Sequence, residues 1–188
     1  MKNYNDSRNS YSVTMDESSV VPYPTGFDNI ALVKLPVVLR FSEEVAPISY
    51  GSGSTAAKED TPSYKRNNGF VVMPGFSPAH DQGLTYGMFR LISPTECKAR
   101  YGKSYDEYLQ ICTLSWDSYN HVPCEGNEGG GLVIGWPRQP RLVGIFTSPL
   151  NCVSDMPSIY VNLARYENWI NEVTRNGYKS SYYYWRFQ

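Results

Sequence analysis

An all-β barrel or sandwich is the fold that this sequence predicts, and three observations predict it. Apolar, β-prone segments are short, as at Ile30–Leu39, Gly69–Met73 and Leu142–Thr147. Turn chemistry separates them, at Gly51–Ser54, Asn68-Gly69 and Gly129–Gly131. The 15 Gly and 13 Pro recur at short intervals, and 14% of the chain is aromatic, 16 of those residues being Tyr. Many short strands with frequent turns are the rhythm of a barrel or a sandwich.

Taken in order, the first 28 residues are rich in Asn, Ser and Asp and offer few apolar anchors before Val20, so they are expected to be loosely held. Asn5, Asp6 and Ser7 spell a glycosylation acceptor, a pattern that arises readily by chance. Ser52–Asn68 is polar and reads as a linker. One helix closes the chain: Tyr166, Trp169, Ile170 and Val173 fall at i, i+3, i+4 and i+7, Asn176-Gly177 is a C-terminal stop, and the apolar stripe should dock on the barrel. Beyond it, Tyr182, Tyr183, Tyr184, Trp185 and Phe187 crowd into a tail that is either a docking strand or a frayed end.

With 188 residues, the chain has room for one domain, or one and a fragment. Lys plus Arg number 17 against 18 Asp plus Glu, for a formal charge of −1, and no basic block breaks the balance. Binding to nucleic acid through a charged face is therefore not expected. No apolar run approaches the roughly 20 residues of a bilayer-spanning helix, and Met1–Ser19 is polar where an export signal would be apolar. The chain reads as soluble, without membrane contact and without a visible signal. Four cysteines, Cys97, Cys112, Cys124 and Cys152, contain no CxxC pair; two disulfides are the economical reading, with three connectivities open, and they argue for an oxidising compartment. His121 and Cys124 at i and i+3 are two ligands, which do not make a metal site. No cofactor is implied.

Three segments together carry a family resemblance. Asn29–Leu35, NIALVKL, resembles the strand after a catalytic Asp; Phe41–Ile48, FSEEVAPI, resembles the stretch that follows it; and Cys124–Gly130, CEGNEGG, resembles a CxGDSGG nucleophile loop. Val143–Thr147 and Pro157–Trp169 resemble the closing strands and helix, with Tyr160 and Trp169 in matching places. In order and spacing, residues 20 to 175 resemble the chymotrypsin-like (trypsin-family) serine proteases. The fold implied is a trypsin-like antiparallel β-barrel with a C-terminal helix, the second barrel complete and the first truncated. In residue terms, 1–50 would be a first-barrel remnant with a loose N-terminus, 51–68 the interdomain linker, 69–177 the second barrel and 178–188 an aromatic tail. The resemblance further implies Cys97 paired with Cys112 and Cys124 with Cys152. A third family bridge maps onto Val71 and Ile134, which are expected to pack together as a core contact instead.

Carried onto this sequence position by position, the resemblance places the family's machinery on residues that cannot run it. The nucleophile position is Glu128, a carboxylate in place of a hydroxyl, and the tautomer-holding carboxylate is Asn29. Asp28 lies one position earlier and in a strand would face the other way. The family's His belongs to a first barrel, whereas only 28 residues precede Asn29, and His80 and His121 match no catalytic position. An oxyanion-hole remnant is expected from the backbone at Gly126 and Glu128, with the Glu128 carboxylate either folded back on those amides or facing solvent. Asn127 replaces the Asp that pairs with an activated amino terminus. Val122 and Pro123 stand at the base of the specificity pocket, where a cation has no partner; Thr147, Ser148 and Pro149 stand on its substrate-reading strand, from which Pro149 removes a donor, and Ser158 should narrow its wall. Glu125 and Glu128 read as loop carboxylates, since no set of titratable groups converges with them.

The function expected is that of a non-catalytic serine protease homologue, secreted, which binds a protease or another component of a proteolytic cascade. Self-association through an exposed barrel face is a further contact expected of it. Two alternatives stay open: a serine endopeptidase by ancestry with residual hydrolysis, and a truncated gene product without independent function.

Overall fold

The computed structural model describes residues 12–43, 45–51, 70–76, 85–116, 122–147 and 156–176. The linker reading at 52–68, the aromatic tail, the Asn5 acceptor, His80, His121, Ser148, Pro149 and Cys152 fall outside them.

Six strands close a ring. β4 (Phe70–Phe76) pairs with β5 (Thr85–Leu91), β5 with β6 (Gln110–Ser115), β6 with β9 (Ser158–Asn162), β9 with β8 (Arg141–Phe146), and β8 with β7 (Gly131–Ile134), all antiparallel. The register Val72↔Val133 joins β7 back to β4. Closure leaves these strands no open edge, which is how all-β folds avoid pairing with strangers. β4 runs further than the sequence suggests because Pro74, which has no N–H to give, sits at a shift of register where none is needed.

Alternation then fills the barrel. Val71, Met73, Phe89, Leu91, Ile111, Leu132, Val143, Phe146 and Tyr160 form one buried cluster, with Ile134 packed against it. Val71 and Ile134, at the mapped third bridge, thus belong to one apolar core. Buried Thr113 donates to the Tyr160 hydroxyl at 3.4 Å, which gives two interior polar groups a partner.

A helix that the sequence reading does not contain, α1 (Pro94–Tyr101), leads from β5 toward β6. Its signal is a cap: Ser93 accepts from the Glu96 N–H at 3.1 Å and Pro94 opens the first turn. α1 buries only Cys97, so it has no apolar stripe to announce it. Cys97 is bonded to Cys112 on β6, and Ile92, Tyr105 and Ile159 pack around the bridge.

The amino-terminal segment forms a ribbon of two strands, β1 (Val20–Pro22) and β2 (Ala31–Val33), in the register Val21↔Leu32. Asp16 caps the single turn before β1. The strand expected over Ile30–Leu39 thus shrinks to Ala31–Val33. Pro36 cannot donate to a ladder, and Val38 and Leu39 stay exposed, so apolar composition alone did not make a strand there.

The ribbon meets α2 (Glu167–Asn176), which closes the described chain as expected. Tyr23 packs edge-on against Tyr166 and Trp169, with centroids 5.0 and 5.2 Å apart. Val161, Leu163, Tyr166 and Ile170 form the buried centre of this contact. Next to it, β3 (Ser49–Tyr50) adds in parallel to β8, and the Gly51 N–H continues the pairing to the Leu142 carbonyl at 2.9 Å. Gly51 lies so close to α2 that a Cβ there would meet Glu167 Oε1 at 1.7 Å. The Tyr50 hydroxyl donates to Asn171 Oδ1 at 3.0 Å.

Candidate functional site

The Cys124–Gly130 loop is shaped by its own backbone and by the end of β8. The Asn127 N–H donates to the Cys124 carbonyl at 2.9 Å, while Asn127 Oδ1 accepts from the Cys124 N–H at 3.1 Å. This side-chain turn suits Asn and fixes the entry to the loop. Two bonds then tie the loop to Phe146: the Gly129 N–H donates to its carbonyl at 2.9 Å and the Phe146 N–H donates to the Gly130 carbonyl at 2.8 Å. Gly126 and Gly129 hold φ of 90° and 80°.

Between those two glycines stands Glu128, exposed, with its carboxylate turned back to accept from the Gly126 N–H at 2.6 Å. A carboxylate in this place can bind a backbone donor and can repel an anion; it has no hydroxyl to attack a carbonyl. Cys124 is disulfide-bonded, so it is neither a nucleophile nor a metal ligand. Among the described residues, no group of three His, Cys, Asp or Glu is placed to hold a metal, and no helix is long and apolar enough to cross a membrane.

Below the loop, Gly130 touches the core. A Cβ there would lie 2.0 Å from Met73 Cε and 2.8 Å from the Asn127 carbonyl. Met73 is flexible and could yield, but the Asn127 carbonyl is part of the turn itself. Gly130→Ala is expected to cost about 1–3 kcal/mol through this overpacking, read as a lower urea midpoint at unchanged slope.

The described residues mapped to the specificity pocket lie at the loop entry and on the strand ends. Pro123 is buried, Val122 half-buried, and the half-buried Thr147 hydroxyl donates to the Ile159 carbonyl at 3.2 Å. Ser158 opens β9 opposite Thr113. A cavity of about 540 Å³ lies between the amino-terminal segment, β8 and α2, and none of these residues lines it.

Asn29 is exposed, and both it and Asp28 lie in a bend before β2 rather than in a strand, so strand alternation does not set their directions. Asp28 turns toward α2. Its carboxylate accepts from the Tyr166 hydroxyl at 2.6 Å and from the Thr25 hydroxyl. These bonds, Thr25 first and Tyr166 second, hold the Asp28 carboxyl below the usual carboxylate range, while burial above all, with Asp28 beside it, pushes the Tyr166 hydroxyl up. A depressed carboxylate pKa adds stability above the unfolded value of about 4, and that stability is lost as pH falls through the lower, folded value. Asp28→Asn should therefore flatten the acid limb of the stability profile below about pH 4, as followed by circular dichroism. Sequence reasoning placed the family's chemistry on Asn29 and gave Asp28 no role. The signal available was the Thr25–Asp28 spacing of a side-chain turn.

A family model described as Trypsin matches residues 3–170. The chain belongs to the trypsin family. Among its trypsin-family relatives, the CLIP domain-containing serine protease C9 of Anopheles gambiae is 25% identical over 80% of this chain and 46% of that protein. Tissue-type plasminogen activator of Sus scrofa is 38% identical over 57% of this chain and 20% of that protein. Trypsin-1 of Astacus astacus is 26% identical over 76% of this chain and 58% of that protein. The chain thus spans between 20% and 58% of the length of these relatives. By fold, kallikrein-related peptidase 10 superposes with a TM-score of 0.61 at 21% identity, covering 84% of this chain and 71% of that one. An inactivated protease paralogue of the scabies mite does so with a TM-score of 0.57 at 16% identity, covering 77% of this chain and 60% of that one.

Proposed function

We propose that this trypsin-family chain is a non-catalytic protease homologue, which works outside the cell by binding protein partners such as proteases or other components of a proteolytic cascade. The observation that carries the reading is the Glu128 carboxylate on the Gly126 N–H at 2.6 Å. Acyl transfer needs a hydroxyl or thiol nucleophile and free backbone donors for the developing oxyanion. By the resemblance of this loop to CxGDSGG, Glu128 stands where the nucleophile would be, and its carboxylate occupies the Gly126 N–H. A histidine supplied by any other segment would still meet a carboxylate there. Exposed Asn29 in place of the orienting Asp weakens the base as well, because an amide favours the wrong imidazole tautomer. The Cys97–Cys112 bridge supports an oxidising, extracellular setting.

Incubation with a fluorophosphonate probe and with a panel of peptide esters tests this reading. No labelling is expected, and Glu128→Ser is expected to stay unlabelled as well, because a hydroxyl without a base and a shaped hole is inert. Stoichiometric labelling of the unsubstituted chain, or turnover that copurifies with it, would overturn the proposal.

A further inference from the structure

A groove between the amino-terminal segment and the barrel is a surface feature that the proposed function leaves unused. Its lining is almost wholly apolar and includes Val33, Phe41, Val45, Leu142, Ile170 and Val173. On one side these residues are open to solvent: Val33 is 43% exposed, Phe41 53% and Val45 44%. At about 540 Å³, the space falls within the roughly 300–1,000 Å³ of pockets that engulf most of a ligand's surface. Clustered exposed apolar residues of this kind mark a binding surface.

We infer that the occupant is the chain's own aromatic tail, Gly177–Gln188. Val173 and Thr174, in the last turns of α2, line the groove, so the chain leaves the helix at the groove's rim. The next residues, Asn176-Gly177, are the pair that most readily ends a helix and turns the chain back. Lys179, Ser180 and Ser181 give a polar spacer, after which Tyr182, Tyr183, Tyr184, Trp185 and Phe187 supply aromatic surface of the chemistry that the groove presents. An extended stretch of this length reaches roughly 40 Å, ample for a groove that its own helix borders. A tethered segment also acts at an effective concentration in the millimolar range, which favours it over a second copy of the chain at ordinary protein concentrations. The groove shares no lining residue with the Glu128 loop, so this docking holds whether or not that loop is catalytically dead.

Replacing Phe187 with the photoreactive p-benzoylphenylalanine in the full chain, followed by irradiation and peptide mapping, tests it directly. Crosslinks within one chain, to residues 41–50 or 170–174, are expected. Crosslinks elsewhere on the chain, covalent dimers, or no crosslink in a folded sample would overturn it, and dimers would assign the groove to a second copy. As a second measurement, the full chain carrying Trp185→Ser and Phe187→Ser should bind an environment-sensitive apolar dye at least threefold more than the unsubstituted chain. Equal dye binding by both would also overturn it.

Discussion

Phe146→Ala is expected to lower folding stability by about 3–5 kcal/mol, the range for emptying a buried aromatic site. Phe146 is 1% exposed, and its ring lies 5.5 Å from that of Tyr160, which is itself fully buried, so little can collapse into the vacated space. The same residue holds the Cys124–Gly130 loop through its backbone, by the bonds to Gly129 and Gly130. The substitution should therefore do two things at once: shift the urea midpoint strongly and speed amide exchange at Gly129 and Phe146 before exchange at Leu132. Tyr86→Ala, on β5 but 45% exposed, is the control and should change stability by less than about 0.5 kcal/mol. A loss under about 1 kcal/mol for Phe146→Ala would contradict the barrel interior described above.

Replacing Cys97 and Cys112 together by Ala is the second large effect. The two are separated by 15 positions, and a loop of that length restrains the unfolded chain by about 3 kcal/mol. Both residues are also buried, at 0% and 1% exposure, among Ile92, Tyr105 and Ile159, so their loss removes packing as well as the crosslink. For a domain of this size, each kcal/mol moves the melting temperature by roughly 2–4 °C, so a drop of about 6–12 °C is expected by calorimetry. α1 should loosen first, since Cys97 is the one residue it buries.

Which parts of this molecule can be read in advance follows from how local their causes are. The CEGNEGG spacing and the i, i+3, i+4, i+7 stripe of α2 are local patterns, and the loop and the closing helix appear where those patterns stand. α1 is invisible to periodicity because it carries no stripe, although Ser93, Pro94 and Glu96 spell its start. Ile30–Leu39 misleads for the opposite reason: apolar residues in a row make a strand only when a partner strand stands beside them, and β1 pairs with Ala31–Val33 alone. At the candidate site, the residue type at position 128 was legible, and the bond from its carboxylate to Gly126 is a short-range consequence of it. The Asp28–Tyr166 bond and the groove were not, because both join segments more than a hundred positions apart that only the folded chain brings together.

The tight passage at Gly51 has a mechanical side. With the backbone of residue 51 hydrogen-bonded to β8 and lying against the Glu167 side chain, and Tyr50 tied to Asn171, the end of the amino-terminal segment is held between strand and helix. Tyr23 packs on Trp169 of the same helix, and Asp28 holds Tyr166 just before it. Ribbon and helix are thus coupled like two leaves of one hinge plate with the pin driven home, and a protein that pulls on either transmits the load to both.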